Sequence, residues 1–426
     1  MKSSRRKFLS TSTLAIAGSL AACRSTDAAS RGLIALPPTG RVDDEEYWQL
    51  VRLQYPLTTD RVYLNTGGLG PAPYTVLDAV NTKMMSLQRL SETGHTSLDS
   101  VRPDVARFIG VQEDEIAFTR NATEGNATVA SGLKLERGDE VIFESHAHPG
   151  GAMAWMVRQK EDGIKVKIFE PSADSGEENL QRIKDLVTPA TRVIQVSHVT
   201  APTGIRMPVK EIAAIARDAG AWFHVDGAQS LGMIEMDLSD IGCDSYASSG
   251  HKWLGAPHGT GILFVRRDRQ DEVRPTEAGA YTNSDYELPD VFDYTDSARR
   301  YESGTRDAST VAGIHAAVQF QEQIGTDLVE ERGQYLGRYL RSQVREIDGV
   351  TVISPVTAEM DSAMSTVKLA NIGYRDLYRY LIQEHQLRCR IVSERGIDGL
   401  RISTHIFNTK ADCDRVIEGI RQATRV

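Results

Sequence analysis

Residues 221–252, AWFHVDGAQSLGMIEMDLSDIGCDSYASSGHK, decide how the rest of the chain is interpreted. The run Ala221–Val225 is apolar and rich in β-forming residues, which predicts a short buried strand, and Asp226 follows it directly. Lys252 comes after the next such segment, among the small residues of Ser245–Gly250. An acid at the end of an apolar strand is costly to bury unless it is paired. Taken alone, Asp226 could cap the following helix and Lys252 could be a solvated lysine, so their meaning depends on the fold around them.

Short β-rich runs alternate with helical patterns on both sides of this stretch. One helical pattern, Val209–Ala219, starts after Pro208, ends before Gly220 and carries its apolar residues on one face. Such alternation predicts an α/β fold with a mostly parallel sheet that is covered by helices on both faces. In such sheets the ligand lies at the carboxyl ends of the strands. The predicted strands are Glu140–Phe143, Val166–Phe169, Arg192–Val196, Ala221–Val225 and Gly261–Val265.

From about Ser309 the pattern changes to long helices followed by short strands, which predicts a second, smaller α+β domain. The expected limits are 46–310 for an N-terminal segment with the large domain and 311–426 for the small C-terminal domain. The elements expected after residue 309 are the helices Gly313–Glu322 and Leu328–Ile347 and the strands Val350–Ile353 and Thr366–Leu369.

Composition excludes several classes of protein. The 426 residues are 40% hydrophobic and 25% charged, which is ordinary for a globular chain and unlike a disordered or fibrous one. The formal charge of −9 argues against a nucleic-acid partner, because such proteins need a basic face for phosphates. Four cysteines in a chain of this length do not make a disulfide framework.

The N-terminus is typical of an export signal. Arg5-Arg6 precede the apolar stretch Leu14–Ala22, which is too short to span a bilayer as a helix of about 20 residues. The pattern predicts recognition by the twin-arginine translocase and a periplasmic location. Cys23 lies in a lipobox-like sequence, so it is either a lipid anchor or part of a signal that is cleaved later, near Ala28-Ala29. The expected limits are 1–29 for the signal and 30–45 for a linker.

An acid after one strand and a lysine after the next is the arrangement that a pyridoxal phosphate site requires. The lysine amine forms a Schiff base with the cofactor aldehyde, and the carboxylate pairs with the pyridine nitrogen. From Tyr63–Gly68 to Asn408-Thr409 the sequence resembles the class V aminotransferase family of fold-type I pyridoxal-phosphate enzymes. It is most similar to the isopenicillin N epimerase-like branch in Ala147–Gly151 and Arg401–Thr409, although relatives usually have a glutamate in place of Ala147. The resemblance implies a seven-stranded, mostly parallel sheet in the large domain.

The resemblance also assigns site residues. Lys252 matches the Schiff-base lysine, Asp226 the partner of the ring nitrogen, and His148 the imidazole that stacks on the ring. A metal site shared by His146 and His148 is disfavoured, because no third cluster of ligands accompanies them. The expected contacts to the cofactor are Ala122, Thr123, Ser249 and His251 at the phosphate and Gln229 near the 3′-oxygen.

A carboxylate receptor and a dimer complete the expected site. A guanidinium suits a carboxylate better than an ammonium does, and Arg401 matches the family's carboxylate-binding arginine. Asn65 is expected to line the same pocket. The match of Glu302–Thr305 implies a homodimer with shared sites, in which Thr305 contacts the partner's phosphate. Arg306 is a weaker candidate for the pocket.

The chain departs from one group of its relatives. Cysteine desulfurases carry a nucleophilic cysteine shortly before the carboxylate arginine, whereas Ile391–Leu400 contains none and Cys389 lies in an apparent strand. His198 stands where desulfurases commonly have asparagine. The main hypothesis is therefore an exported enzyme that transaminates or epimerises an amino acid or peptide-like metabolite. A carbon–sulfur lyase of cysteine conjugates and a non-catalytic binding protein on the same fold remain as alternatives.

Overall fold

The computed structural model describes residues 36–37, 40–355 and 357–425. The predicted signal, residues 1–29 with Cys23, lies outside the described residues, so export and lipidation stay predictions. The domain limits 46–310 and 311–426 also stay predictions. Among the described residues, no helix is long and apolar enough to cross a membrane.

The helices form where the sequence offers caps and one apolar face. In the helix that starts at Val209, for example, Ile212 and Ala216 are buried against the sheet. The α-helices are α1 Glu45–Arg52, α2 Tyr74–Leu90, α3 Thr96–Phe108, α4 Ala122–Gly132, α5 Pro149–Glu161, α6 Gly176–Leu186, α7 Val209–Asp218, α8 Leu238–Ile241, α9 Ala308–Ile324, α10 Thr326–Arg345, α11 Tyr374–Glu384 and α12 Lys410–Ala423.

The strands are short and mostly buried. The strands are β1 Val62–Tyr63, β2 Ile116–Thr119, β3 Glu140–Glu144, β4 Lys165–Phe169, β5 Thr191–Ser197, β6 Trp222–Asp226, β7 Ser245–Ser249, β8 Gly261–Val265, β9 Asn283–Glu287, β10 Val291–Tyr294, β11 Val350–Val352, β12 Met364–Leu369, β13 Leu387–Arg388, β14 Arg390–Val392 and β15 Gly399–Ser403.

The structure confirms the α/β fold and its seven-stranded sheet. The strand order is β2-β8-β7-β6-β5-β3-β4, and only β8 runs antiparallel to its neighbours. Alternate residues of β6 point to opposite faces, so that Phe223 joins one apolar core and Trp222 joins another. Both faces are therefore covered, which is why the strands contain nearly continuous runs of apolar residues.

The register of the sheet brings chemistry-bearing residues to one edge. Asp226 is paired with Ser197 of β5 on one side and with Ala247 of β7 on the other. Helix α4 begins three residues after β2 ends, and His148 follows β3. Asp226, the start of α4 and His148 thus lie at or just beyond the carboxyl ends of their strands, which is where such folds bind ligands.

A second sheet forms from the C-terminal part of the chain. It is antiparallel, in the order β11-β12-β15-β14, and it sets Arg390 directly opposite Arg401. The N-terminal segment reaches this region, because β1 pairs with β13 and Asn65 bridges to Ser403. Residues far apart in sequence, 65 and 401, therefore become neighbours.

Candidate active site

One cavity of about 270 Å³ lies at the carboxyl edge of the large sheet. Its wall brings together the residues that the sequence predicted except Asn65, Thr305 and the weaker candidate Arg306. Asn65 instead contacts Arg401, whose Nη2 donates to its Oδ1. The residues that line the cavity are Gly67, Gly68, Asn121, Ala122, Thr123, Asn126, His148, Gly150, Ala201, Asp226, Ala228, Gln229, Ser249, His251, Lys252, Arg390 and Arg401.

Lys252 stands in the turn after β7, at the wall of this cavity. Burial lowers the pKa of its ammonium to about 8; the charge of Asp226 opposes this shift, and those of Arg401 and Arg390 add to it. The turn that holds Lys252 is packed closely, since a Cβ on Gly70 would lie 1.7 Å from the Lys252 carbonyl oxygen. A lysine with a depressed pKa in a cavity is suited to act as a nucleophile or a base near neutral pH.

Asp226 ends β6 and is 4% exposed. Its Oδ1 accepts from the Ala228 backbone N–H at 3.0 Å, and its Oδ2 accepts from Asn126 Nδ2 at 2.9 Å. A Cβ on Gly151 would lie 2.7 Å from the same Oδ2, so only glycine fits there without a shift. The carboxylate is thus held by donors on two sides at the cavity wall.

The start of α4 offers a site for an anion. Thr123 lies in its first turn, Asn121 caps it by accepting from Glu124 N–H at 2.9 Å, and Ser249 Oγ accepts from Ala122 N–H at 3.1 Å. A helix N-terminus carries free N–H groups and a favourable dipole, which together stabilise a phosphate. A Cβ on Gly150 would lie 2.4 Å from Thr123 Oγ1, so this glycine leaves the threonine hydroxyl room.

Two more predicted contacts lie on the same wall. His148 caps α5, where its Nδ1 accepts from the Gly150 N–H at 3.1 Å, and burial with the charge of Lys252 lowers its pKa. His251 Nδ1 lies 3.1 Å from the Thr260 carbonyl oxygen. Burial also lowers the pKa of His251, so the neutral form of both imidazoles is favoured at the cavity.

Gln229 connects the cavity to the N-terminal segment. Its Nε2 donates to the Gly67 carbonyl oxygen at 2.9 Å, and its Oε1 accepts from Trp253 Nε1 at 2.9 Å. Because both ends of the amide are used, Gln229 fixes the turn that carries Gly67 and Gly68 against the cavity.

Arg401 is a buried cation, 1% exposed, and within the described residues the hydrogen-bond acceptors of its guanidinium are neutral. Its Nη1 donates to the Ala201 carbonyl oxygen at 2.6 Å and its Nη2 donates to Asn65 Oδ1 at 3.1 Å, while Nε is unpaired. Burial, together with the charge of Arg390, lowers its pKa to about 9. A buried guanidinium without a carboxylate in hydrogen-bond contact is suited to bind a ligand carboxylate.

Thr305 and Arg306 do not line this cavity. Both line a separate one of about 430 Å³, where Arg306 donates to the Phe118 carbonyl oxygen at 2.9 Å. The weak expectation that Arg306 faces the pocket is therefore wrong in this chain, because α4 and β2 hold its guanidinium elsewhere. The contact of Thr305 with a partner's phosphate requires a second subunit and stays a prediction.

His146 and His148 do not share a ligand. His146 Nδ1 lies 3.0 Å from Thr203 Oγ1 and its Nε2 lies 3.2 Å from Glu170, whereas His148 faces the cavity. In the part of the chain that the structure describes, no three His, Cys, Asp or Glu side chains gather as a metal site.

Sequence reasoning assigned no individual role to several cavity residues, of which Arg390 and Asn126 contact charged groups. Arg390 enters the wall through the pairing of β14 with β15 and forms an ion pair with Glu394, leaving Nη1 unpaired. Asn126 enters one turn into α4 and contacts Asp226. The helical spacing from Ala122 to Asn126 is the one signal that could have indicated Asn126 as a cavity residue.

The donor set fits pyridoxal phosphate. The α4 N-terminus suits the phosphate, Asp226 suits a protonated ring nitrogen, Lys252 suits the aldehyde, and Arg401, which forms no ion pair among the described residues, suits the carboxylate of an amino-acid substrate. Those four groups occupy one cavity, and the close glycines at 150 and 151 leave it open.

Comparisons with known proteins agree with this chemistry. The family model described as Aminotransferase class-V matches residues 63–416. A probable cysteine desulfurase of Methanothermobacter thermautotrophicus is 33% identical over 308 residues, covering 70% of this chain and 76% of that protein. The isopenicillin N epimerase of Amycolatopsis lactamdurans is 28% identical, covering 89% and 99%. The solved apo structure of a cysteine desulfurase from Thermococcus onnurineus NA1 is similar with a TM-score of 0.81 at 25% identity, covering 91% and 99%.

Proposed function

Because this chain belongs to the class-V aminotransferase family of pyridoxal-phosphate enzymes, we propose that it acts at the α-carbon of an amino acid or peptide-like metabolite, by transamination or epimerisation. The observation that carries this proposal is a single cavity whose wall contains Lys252, Asp226 and Arg401, the last with only neutral hydrogen-bond partners in the part of the chain described.

When bound, pyridoxal phosphate supplies an electron sink that makes a bond at the substrate α-carbon breakable. Thr123, Ser249 and the α4 N-terminus would hold its phosphate, and Asp226 would hold its ring nitrogen. Asp226 is prepared for this task, since two donors fix its oxygens before any ligand binds. His148 and Gln229, on the cavity wall, would limit the space for the cofactor ring.

Arg401 orients the substrate. A bidentate guanidinium fixes both the position and the plane of a carboxylate, which decides which α-carbon bond faces the cofactor. The Asn65 amide and the Ala201 carbonyl hold the guanidinium in place from the side. Removal of Arg401 should therefore affect substrate orientation more than cofactor binding.

Lys252 would transfer the proton at the substrate α-carbon. With a pKa of about 8, roughly one molecule in ten carries a neutral amine at pH 7, which is enough for a base that must also return the proton. Its pKa is matched to this task by burial, with the Asp226 carboxylate limiting the shift. Bond choice then depends on how Arg401 presents the substrate to Lys252.

A carbon–sulfur lyase is the second candidate, because desulfurases are as similar to this chain as epimerases are. Persulfide chemistry on a protein thiolate is disfavoured by the cysteines. The three that the structure describes, Cys243, Cys389 and Cys413, are buried. Burial raises the pKa of the Cys389 thiol to about 12, and none of the three lines the cavity. A lyase of this chain would therefore release the sulfur product directly.

The test is a product screen of the cofactor-loaded protein with L-amino acids, D-amino acids and cysteine conjugates, with and without a keto acid. Keto-acid-dependent amino transfer or inversion at the α-carbon would support the main proposal. Pyruvate and ammonia from cysteine conjugates would support the lyase. Borohydride reduction and peptide mapping examine the third hypothesis: failure to fix the cofactor on Lys252 would favour a binding protein.

We also propose export and dimerisation, on the sequence patterns given above. The paired Arg5-Arg6 and the apolar stretch after them support recognition by the twin-arginine translocase. Replacing both arginines by lysine should retain the protein in the cytoplasmic fraction, whereas unchanged export would refute this route. A Cys23→Ala variant distinguishes the lipid anchor from later cleavage by its loss of detergent partitioning. Equilibrium sedimentation tests the homodimer.

A further inference from the structure

A chain of buried polar side chains runs behind Asp226, away from the cavity. Trp222, His224 and Asp226 alternate along β6 and therefore share one face of the sheet. Helix α4 places Asn126 over the same face. The hydrogen bonds are Trp222 Nε1 to Ser245 Oγ at 2.8 Å, Ser245 Oγ to His224 Nδ1 at 2.8 Å, His224 Nε2 to Asn126 Oδ1 at 2.8 Å and Asn126 Nδ2 to Asp226 Oδ2 at 2.9 Å.

Only one assignment of donors and acceptors satisfies every hydrogen bond in this series of side chains. Asn126 Nδ2 faces two acceptors, Asp226 Oδ2 and the Gly150 carbonyl oxygen at 3.4 Å, so the amide oxygen must face His224. His224 Nε2 therefore carries a proton and donates. Burial lowers the pKa of His224 to about 3, so the ring is neutral and its Nδ1 accepts from Ser245. The Trp222 indole, which can only donate, closes the far end.

Burying these hydrogen-bonded polar side chains has a desolvation cost that apolar side chains would avoid. His224 and Ser245 are fully buried and Trp222 is 3% exposed, yet apolar side chains would fill the same face without needing partners. None of the three lines the cavity. Their combined effect is to fix which end of the Asn126 amide faces Asp226.

We propose that Ser245, His224 and Asn126 are positioning residues that keep a donor on Asp226, and so hold this carboxylate ionised and in place for the cofactor. The inference rests on the proposed function, because it assigns Asp226 to the ring nitrogen. Without the His224 donor, the buried Asn126 Oδ1 has no partner, so the amide is no longer anchored on the side away from Asp226 and its donor bond to this carboxylate weakens. With a weaker donor, the carboxylate shifts or takes up a proton more readily.

Other titratable groups near Asp226 must be counted in any pH experiment. Glu144 is buried with its Oε1 accepting from the Ser197 N–H at 3.1 Å; burial raises its pKa to about 7, and the charge of Asp226 acts in the same direction. Lys252 and His148 face Asp226 from the cavity side. These three groups are untouched by a change at His224, so they shift the wild type and the variants alike.

The experiment compares His224→Leu, which has no donor, with His224→Gln, whose amide N–H can replace Nε2–H. Phe223→Leu is the matched control, because it removes packing from the adjacent residue on the opposite face of β6. Each cofactor-free protein is titrated with pyridoxal phosphate, and the dissociation constant and the pH midpoint of the visible band are measured. Unfolding midpoints in urea are measured in parallel.

We expect His224→Leu to raise the dissociation constant about tenfold, or ~1.4 kcal/mol, and to move the pH midpoint. His224→Gln should restore most of both, and Phe223→Leu should lose stability while binding as the wild type does. Equal effects of His224→Leu and Phe223→Leu, or no rescue by glutamine, would overturn the proposal.

A second variant tests the proposal if His224→Leu does not fold. Asn126→Asp places an acceptor against Asp226 directly, so it should weaken cofactor binding at least as strongly as His224→Leu does. If Asn126→Asp bound the cofactor as the wild type does, the proposed positioning role would be overturned. Absence of cofactor binding by the wild type would instead overturn the proposed function, and with it the positioning role of these residues.

Discussion

Arg401 and Arg332 are two fully buried arginines in opposite electrostatic situations. Arg332 Nη1 pairs with Glu45 at 2.7 Å and its Nη2 donates to the Asn408 carbonyl oxygen at 3.1 Å. Arg401 has only neutral partners, the Ala201 carbonyl and the Asn65 amide. We predict that replacing each by methionine changes stability in opposite directions: Arg401→Met stabilises the substrate-free protein, and Arg332→Met destabilises it.

The magnitude follows from the pKa. Burial lowers the pKa of Arg401 from 12.5 to about 9, and at about 1.4 kcal/mol per unit the folded state disfavours the cation by about 5 kcal/mol. Methionine removes that cost but also loses two hydrogen bonds, of about 1–2 kcal/mol each, so the net gain is about 1–3 kcal/mol. Arg332→Met removes the ion pair with Glu45, whose side chain is 32% exposed and keeps a hydrogen bond from the Lys410 N–H, and it removes the hydrogen bond to the Asn408 carbonyl oxygen. This loss should cost about 2–4 kcal/mol.

The pH dependence gives an internal check. Because the pKa of Arg401 is lower in the folded state than in the unfolded state, its cost is complete below about pH 9 and fades as the pH rises toward 12.5. At pH 7 the advantage of Arg401→Met should therefore be at its maximum. Urea midpoints at pH 7, in buffer without carboxylates, measure it with and without bound cofactor.

Substrate binding provides the second assay. Arg401→Met should bind pyridoxal phosphate nearly as the wild type does but should lose the spectral response to amino acids. Loss of stability in both variants would show that Arg401 is structural. An unchanged response to amino acids would refute its role as a carboxylate receptor.

Three further predictions follow from other contacts. Gly151→Ala should weaken cofactor binding about tenfold, because its Cβ would lie 2.7 Å from Asp226 Oδ2 and overpacking costs about 1–3 kcal/mol. Gly176→Ala, whose Cβ would lie 4.0 Å from Pro208 Cγ, should bind normally, and equal binding by both variants would contradict the close packing. Since the pKa of Lys252 is lowered to about 8, the rate of cofactor capture should rise about fivefold from pH 7 to 8 and level off above pH 9, while a rise continuing past pH 10 would indicate an ordinary lysine. Cys389→Ser should leave turnover of any substrate found by the screen unchanged, and its loss would restore persulfide chemistry as a candidate.

The sequence predicted the elements of the site that follow directly from strands. Asp226 and Lys252 come after β6 and β7, and parallel strands necessarily end at one edge, so their meeting required no knowledge of long-range contacts. The strand boundaries moved by one residue at most within the large sheet, as with Trp222–Asp226 in place of Ala221–Val225. Apolar runs bounded by turn residues are a local signal, and local signals were sufficient there.

The tertiary structure decided what depends on register and on approach between distant segments. Arg390 joins Arg401 because β14 pairs with β15 in one alignment, and a shift by one residue would have turned it away. Asn65 reaches Arg401 across 336 positions, and the amide of Asn126 is oriented by a histidine on another element. Such contacts are chosen by packing and by the pairing of buried polar groups, which no stretch of the chain encodes alone. Local sequence therefore indicated the type of chemistry, whereas the geometry that would control it exists only in the folded chain.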